Sequence, residues 1–113
     1  MWLLDVNLPN GLLGILRGLG IDCDTTVTRG WRDLGNGVLA STAFAAGFRV
    51  ILTRDRVFGD SAGRAIKAFP ELAVVIVTIP QARHAVYLQR FTSAWGQSPI
   101  VPQAGKVIQW PVS

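Results

Sequence analysis

Two aspartates sit where apolar runs stop. Asp5 follows Trp2, Leu3 and Leu4 in WLLDV, and Asp55 comes just after RVILT at 49–53, between Arg54 and Arg56. Two carboxylates brought together repel, and each is driven toward protonation unless a cation lies between them. A hard divalent ion such as Mg²⁺ or Mn²⁺, which takes oxygen ligands and keeps several waters, relieves that repulsion and can activate water. A phosphate substrate would complete its coordination, so the chemistry open to the pair is metal-assisted hydrolysis. The same residues also read as separate loop carboxylates that cap helix N-termini or pair with Arg54 and Arg56.

For one ion to serve both, the fold must bring the two strand ends together. WLLDV (2–6) reads as a short buried strand, and Pro9 suits the first turn of a helix that carries Leu12, Leu13 and Leu16 on one side and stops at Gly20. CDTTVT (23–28) is β-rich but polar, a weak strand near a sheet edge. GVLASTAFAAG places Leu39, Thr42, Ala43 and Ala46 at helical spacing, with Asn36 as N-cap and Gly47 as stop. RVILT is a second strong strand, and residues 60–69 read as a short helix with Asp60 as its cap. LAVVIVTI (72–79) is a third strong strand, PQARHAVYLQRFTSAW a longer helix, and KVIQW (106–110) a closing strand. Continuous apolar strands separated by helices predict one α/β domain over 1–113, a three-layer α/β/α arrangement on a mainly parallel sheet. In such sheets sites form beyond the carboxyl ends of the strands, so Asp5 and Asp55 are expected on one edge.

Composition agrees with a packed domain. The chain has 113 residues, half of them hydrophobic and 16% charged, which argues against a disordered tail. Cys23 has no partner for an intrachain disulfide, so a reducing compartment such as the cytoplasm is expected. LAVVIV at 72–77 falls far short of the roughly 20 residues that span a bilayer, and MWLLDV lacks the basic region of a secretory signal. The net charge of +4 comes mostly from arginine, whose fork matches phosphate, so RNA is a candidate partner; a solvated basic surface is the alternative. Trp2, Trp31, Trp95 and Trp110 read as core or interface packing at least as well as base-stacking platforms. His84 stands alone, and Cys23 lies between Asp22 and Asp24, which oppose a thiolate. Apolar surface left over in so small a domain would suit a protein partner or a homodimer.

LLDVNLP (3–9), a helix ending in LGID, then LGNGVLASTAFAAG and RVILTRDRVFG together resemble the short PIN-like nuclease domains related to the toxins of VapBC-type toxin–antitoxin pairs. Asp5, Asn7, Leu8 and Pro9 match that family's strand ending in Asp-x-Asn-Leu-Pro. Thr53, Asp55 and Phe58 match its Thr-x-Asp-x-Asp-Phe. The resemblance covers roughly residues 2–80 and implies metal-dependent cleavage of RNA, with a cognate antitoxin as partner. Asn36 stands where the family has an acid at the start of the second helix, and Val57 where it has an aspartate before the phenylalanine. Asp33 and Asp60 are close enough in sequence to substitute.

On this likeness Asp5 and Asp55 would hold Mg²⁺ or Mn²⁺, Asn7 would orient a ligand or a metal-bound water, and Thr53 would hydrogen-bond to the loop carrying Asp55. Asn36 would offer a neutral oxygen, or act only as a helix cap. Arg54, Arg56 and Arg64 are the candidate phosphate contacts. Two other readings stay open: a PIN-like domain that binds RNA or protein without cleaving, and a receiver-type phosphoacceptor built on Asp55, Thr78 and Lys106.

Overall fold

Strands form where the apolar runs lie, trimmed at their ends. The computed structural model describes residues 1–111, with the side chains of residues 59 and 60 excepted. β1 (Trp2–Leu4), β2 (Cys23–Thr25), β3 (Val50–Thr53), β4 (Ala73–Val77) and β5 (Val107–Trp110) form a five-stranded sheet in the order β2-β1-β3-β4-β5. Every neighbouring pair is parallel, with Leu4 level with Leu52 and Val77 level with Trp110. β3 and β4 are buried at every position, as strands covered on both faces must be.

The helices are α1 (Gly11–Gly18), α2 (Thr26–Arg29), α3 (Asn36–Ala45), α4 (Arg56–Ala68) and α5 (His84–Gln97). The pleat of the strands sorts side chains between two cores. Leu4, Leu52, Val75 and Val77 pack with Leu12 and Leu16 of α1 and Tyr87 and Phe91 of α5. Leu3, Ile51 and Val74 pack with Leu39 and Ala43 of α3 and Phe58 and Ala62 of α4. The result is the expected three-layer α/β/α domain. Trp2, Trp95 and Trp110 gather with Phe91 at centroid distances of 5.0 to 6.2 Å, and Trp31 meets the edge of Phe48 at 5.8 Å. Such pairs contribute about 0.5–1.5 kcal/mol each beyond area burial, so the tryptophans serve the core.

Gly20 and Gly47 stop α1 and α3 as expected. Each takes a positive φ and donates three residues back, to Arg17 O and Phe44 O, while the following residue, Ile21 or Phe48, reaches Leu16 O or Ala43 O. Two boundaries differ from the sequence reading. CDTTVT is not one strand: it breaks after Thr25, whose hydroxyl caps the short α2 by accepting from Thr28 N at 3.0 Å. The helix expected at 60–69 begins at Arg56, because Asp55 Oδ1 accepts from Val57 N at 2.8 Å and nucleates it earlier. Asp55, not Asp60, is therefore the cap; the Asp60 side chain lies outside the described part.

Crossovers decide which elements border each strand end. α1 takes β1 to β2 over one face, and α4 takes β3 to β4 in the opposite direction over the other, so these two share a hand. α5 takes β4 to β5 in the direction of α4 but over the α1 face, so its crossover has the opposite hand, a rare choice. Connections consequently part along the carboxyl edge between β2 and β1, between β1 and β3, and again between β3 and β4.

Candidate functional site

The parting between β1 and β3 holds the predicted aspartates. Asp5 N donates to Leu52 O at 2.9 Å, which continues the β1–β3 pairing one residue past β1 and presents Asp5 beside Thr53. Thr53 is fully buried, and a hydroxyl there is a donor with two acceptor sites. All are used. It donates to Asp5 Oδ2 at 2.8 Å, accepts from Asp55 N at 3.0 Å, and accepts more loosely from Asn7 Nδ2 at 3.4 Å. One hydroxyl thus stands between the Asp5 carboxylate and the Asp55 backbone. Asn7 Oδ1 accepts from Arg54 N at 3.2 Å, so Asn7 ties the loop after β1 to the loop after β3. Asp5 Oδ1 accepts from Val6 N at 2.8 Å.

Both readings of the aspartates have a place in this geometry. Asp55 caps α4, a structural task, yet its backbone amide shares the Thr53 hydroxyl with the Asp5 carboxylate. No ion pair joins either aspartate to Arg54 or Arg56 among the described residues. The donor set can be tested against a divalent cation. Mg²⁺ is ordinarily held by one or two carboxylates, with waters and substrate phosphates completing its octahedron. An ionised carboxylate offers about four lone-pair sites, and hydrogen bonds with described residues take two on Asp5 and one on Asp55. By ligand type and free lone pairs, the two carboxylates suit a sparsely ligated Mg²⁺ or Mn²⁺. They do not form a larger cage: no group of three or more His, Cys, Asp or Glu gathers among the described residues.

The other predicted residues are dispersed. Asn36 is the first residue of α3, whose cap is Gly35, so the capping expectation gives way. Its amide donates to Ser61 Oγ at 3.2 Å and so staples α3 to α4; no hydrogen bond links it to Asp5 or Asp55. Asp33 is exposed in the segment before α3. Arg54 is half-buried, its guanidinium 5.3 Å from the centre of the Tyr87 ring. Arg56 is exposed at the first position of α4, whereas Arg64 lies eight residues on, about 12 Å down the axis. Lys106 precedes β5 and so stands at the amino edge, opposite Asp55; the Thr78 hydroxyl donates to Pro111 O at 2.9 Å. The receiver constellation is therefore not assembled.

Two groups the sequence reading passed over lie near this edge. Tyr87 on α5 is 1% exposed, and its hydroxyl has no hydrogen-bond partner among the described residues. Burial raises its pKa, against the opposing charge of Arg54. Arg90, just over half a turn beyond Leu88 on α5, is exposed. Cys23 is buried, and burial raises its thiol pKa, with Arg17 opposing, so it is a packing residue. His84 opens α5 against Gly11 and is exposed. Comparison with protein-family models, curated proteins and solved structures finds no match to this chain.

Proposed function

We propose that the chain is a metal-dependent ribonuclease of the PIN-like kind, acting as the toxin of a toxin–antitoxin pair in the cytoplasm. The observation that carries this reading is the Thr53 hydroxyl shared between Asp5 and the Asp55 backbone, in the crevice where the β1 and β3 connections part. Asp5 and Asp55 would hold Mg²⁺ or Mn²⁺, which supplies positive charge against the phosphoryl oxygens and eases deprotonation of water. Thr53 keeps the two acidic loops in register, and Asn7 braces them from the other side. Arg54 and Arg56 provide cations for phosphates flanking the reacting one, with Arg54 steadied on the Tyr87 ring. Val6 and Val57, 43% and 69% exposed, flank the aspartates as an apolar rim for an antitoxin or a second copy to cover. Among the described residues no helix is long and apolar enough to cross a membrane.

The test is incubation of purified protein with mixed small RNAs and Mn²⁺, beside Asp5→Asn and Asp55→Asn. Asparagine still caps a helix, so lost cleavage with an unchanged melting curve isolates the carboxylate. Equal cleavage by parent and variants would assign the activity to a contaminant and end the reading. A second reading, RNA or protein binding without cleavage, draws on Asn36: it replaces an acid and bonds Ser61 instead of joining the pair. No calorimetric Mn²⁺ binding together with retained RNA binding would favour it.

A further inference from the structure

The carboxyl edge opens again beyond β3. There the chain leaves β3 for α4 on one face and β4 for α5 on the other. An open cleft of about 630 Å³ lies at the ends of β4 and β5, within the range of small-ligand sites. Arg56 reaches it from the first turn of α4, Arg90 from α5, and Gln109 from β5. Ile79, Pro80 and Pro111 supply an apolar side. No carboxylate is among the described lining residues, and neither arginine forms an ion pair with a described residue.

Two arginines brought to one cleft from helices on opposite faces of the sheet leave it positively charged and open to an anion. Their planar forks suit the oxygens of a phosphate, which accepts paired N–H bonds. Gln109 adds a neutral amide. The apolar side is uncharged and can take the flat face of a base or the edge of a ribose. A bare inorganic anion would leave it wet; a nucleotide uses both halves.

We propose that this cleft binds a nucleotide, with Arg56 and Arg90 on its phosphate and its base or sugar against Ile79, Pro80 and Pro111. Binding here needs no metal and no carboxylate, so the assignment goes beyond the nuclease reading. The two are geometrically compatible. β4 is the next strand to β3, roughly 5 Å away, so an RNA strand seated in the cleft can continue to the aspartates. A free mononucleotide is the other source of the same chemistry.

The experiment is calorimetric titration of the whole chain in EDTA with adenosine 5′-monophosphate, adenosine, and a short single-stranded oligoadenylate. The parent binds the monophosphate, the oligomer or both, and adenosine far more weakly. Arg90→Gln weakens that binding about tenfold or more, and for the oligomer flattens the log K against log salt slope by about 0.7. Lys67→Gln, which removes an exposed charge at the far end of α4, binds like the parent. Absence of binding to both phosphate ligands, equal affinity for adenosine and its monophosphate, or unchanged affinity in Arg90→Gln overturns the proposal. Arg90 is exposed, so a thermal melt matching the parent confirms that the variant folds. Nucleotide binding without RNA cleavage would sink the nuclease reading while supporting this one.

Discussion

The two crevices on the carboxyl edge are built in opposite ways. Between β1 and β3 the polar groups are short, close to backbone and mutually bonded: Asp5, Asn7, Thr53 and the Asp55 amide form one network. At the ends of β4 and β5 the charged groups are long and exposed, and they line one cleft without an ion pair among the described residues. The first is negative and preorganised; the second is positive and adaptable. A rigid network holds a small ion, whose geometry tolerates little error, whereas flexible arginines suit a larger anion that brings its own shape. On the proposed reading, an anionic strand would be drawn to the arginines and tolerated at the carboxylates only when a cation is present. On that reading, the sorting of charge along one sheet edge would give a polymer substrate a direction.

The largest expected effect comes from breaking the first crevice. Asp5→Asn should lower Mn²⁺-dependent RNA cleavage by about 100-fold or more while leaving nucleotide affinity in the second crevice within twofold of parent. A matched fall in both would show that the two regions are one site. Next is Thr53→Val, which keeps the shape and deletes the hub. With three hydrogen bonds lost at a fully buried position, a urea melt should show destabilisation of about 1–3 kcal/mol. Mn²⁺ affinity should drop about tenfold.

Tyr87→Phe sharpens the boundary between the crevices, because Tyr87 sits under Arg54 on the helix that also carries Arg90. Its hydroxyl is buried without a described partner, so its removal should stabilise the fold by up to about 1 kcal/mol. If the melt rises while cleavage falls, the hydroxyl serves the substrate. The smallest effect lies outside both regions. Asp24 is partly buried, which raises its pKa, but the 2.6 Å hydrogen bond from Arg29 and the Thr25 amide prevail and lower it overall. A carboxylate with a depressed folded pKa stabilises above its unfolded value near 3.9, and that stability is lost as pH falls through the folded pKa. Asp24→Asn should therefore cost about 0.5–1 kcal/mol at pH 7, vanish as a difference in strong acid, and change neither cleavage nor nucleotide binding.

Much of the framework was legible residue by residue. LLD, VILT and AVVIV announce buried strands because a parallel strand covered on both faces needs no polar alternation, and Gly20 and Gly47 announce helix ends because few other residues take a positive φ easily. Other features escaped. RDRVFGD looks like a loop until Asp55 is seen to cap α4, after which Arg56 and Val57 are helical. Asn36 looked like a cap, but Gly35 occupies that place and the amide is spent on Ser61, 25 residues away. Contacts of that separation have no local signature.

What the sequence by itself determined is the alternation of strand and helix and the placing of Asp5 and Asp55 just past two apolar strands, since burial and period are properties of neighbouring residues. Only the tertiary structure decided which face each crossover takes. α5 returns over the α1 side, and that single choice brings Arg90 to the same opening as Arg56. The reason is physical: an amphipathic helix states that it has a buried side, but either face of a two-sided sheet can satisfy it, and the final choice depends on how both cores fill together.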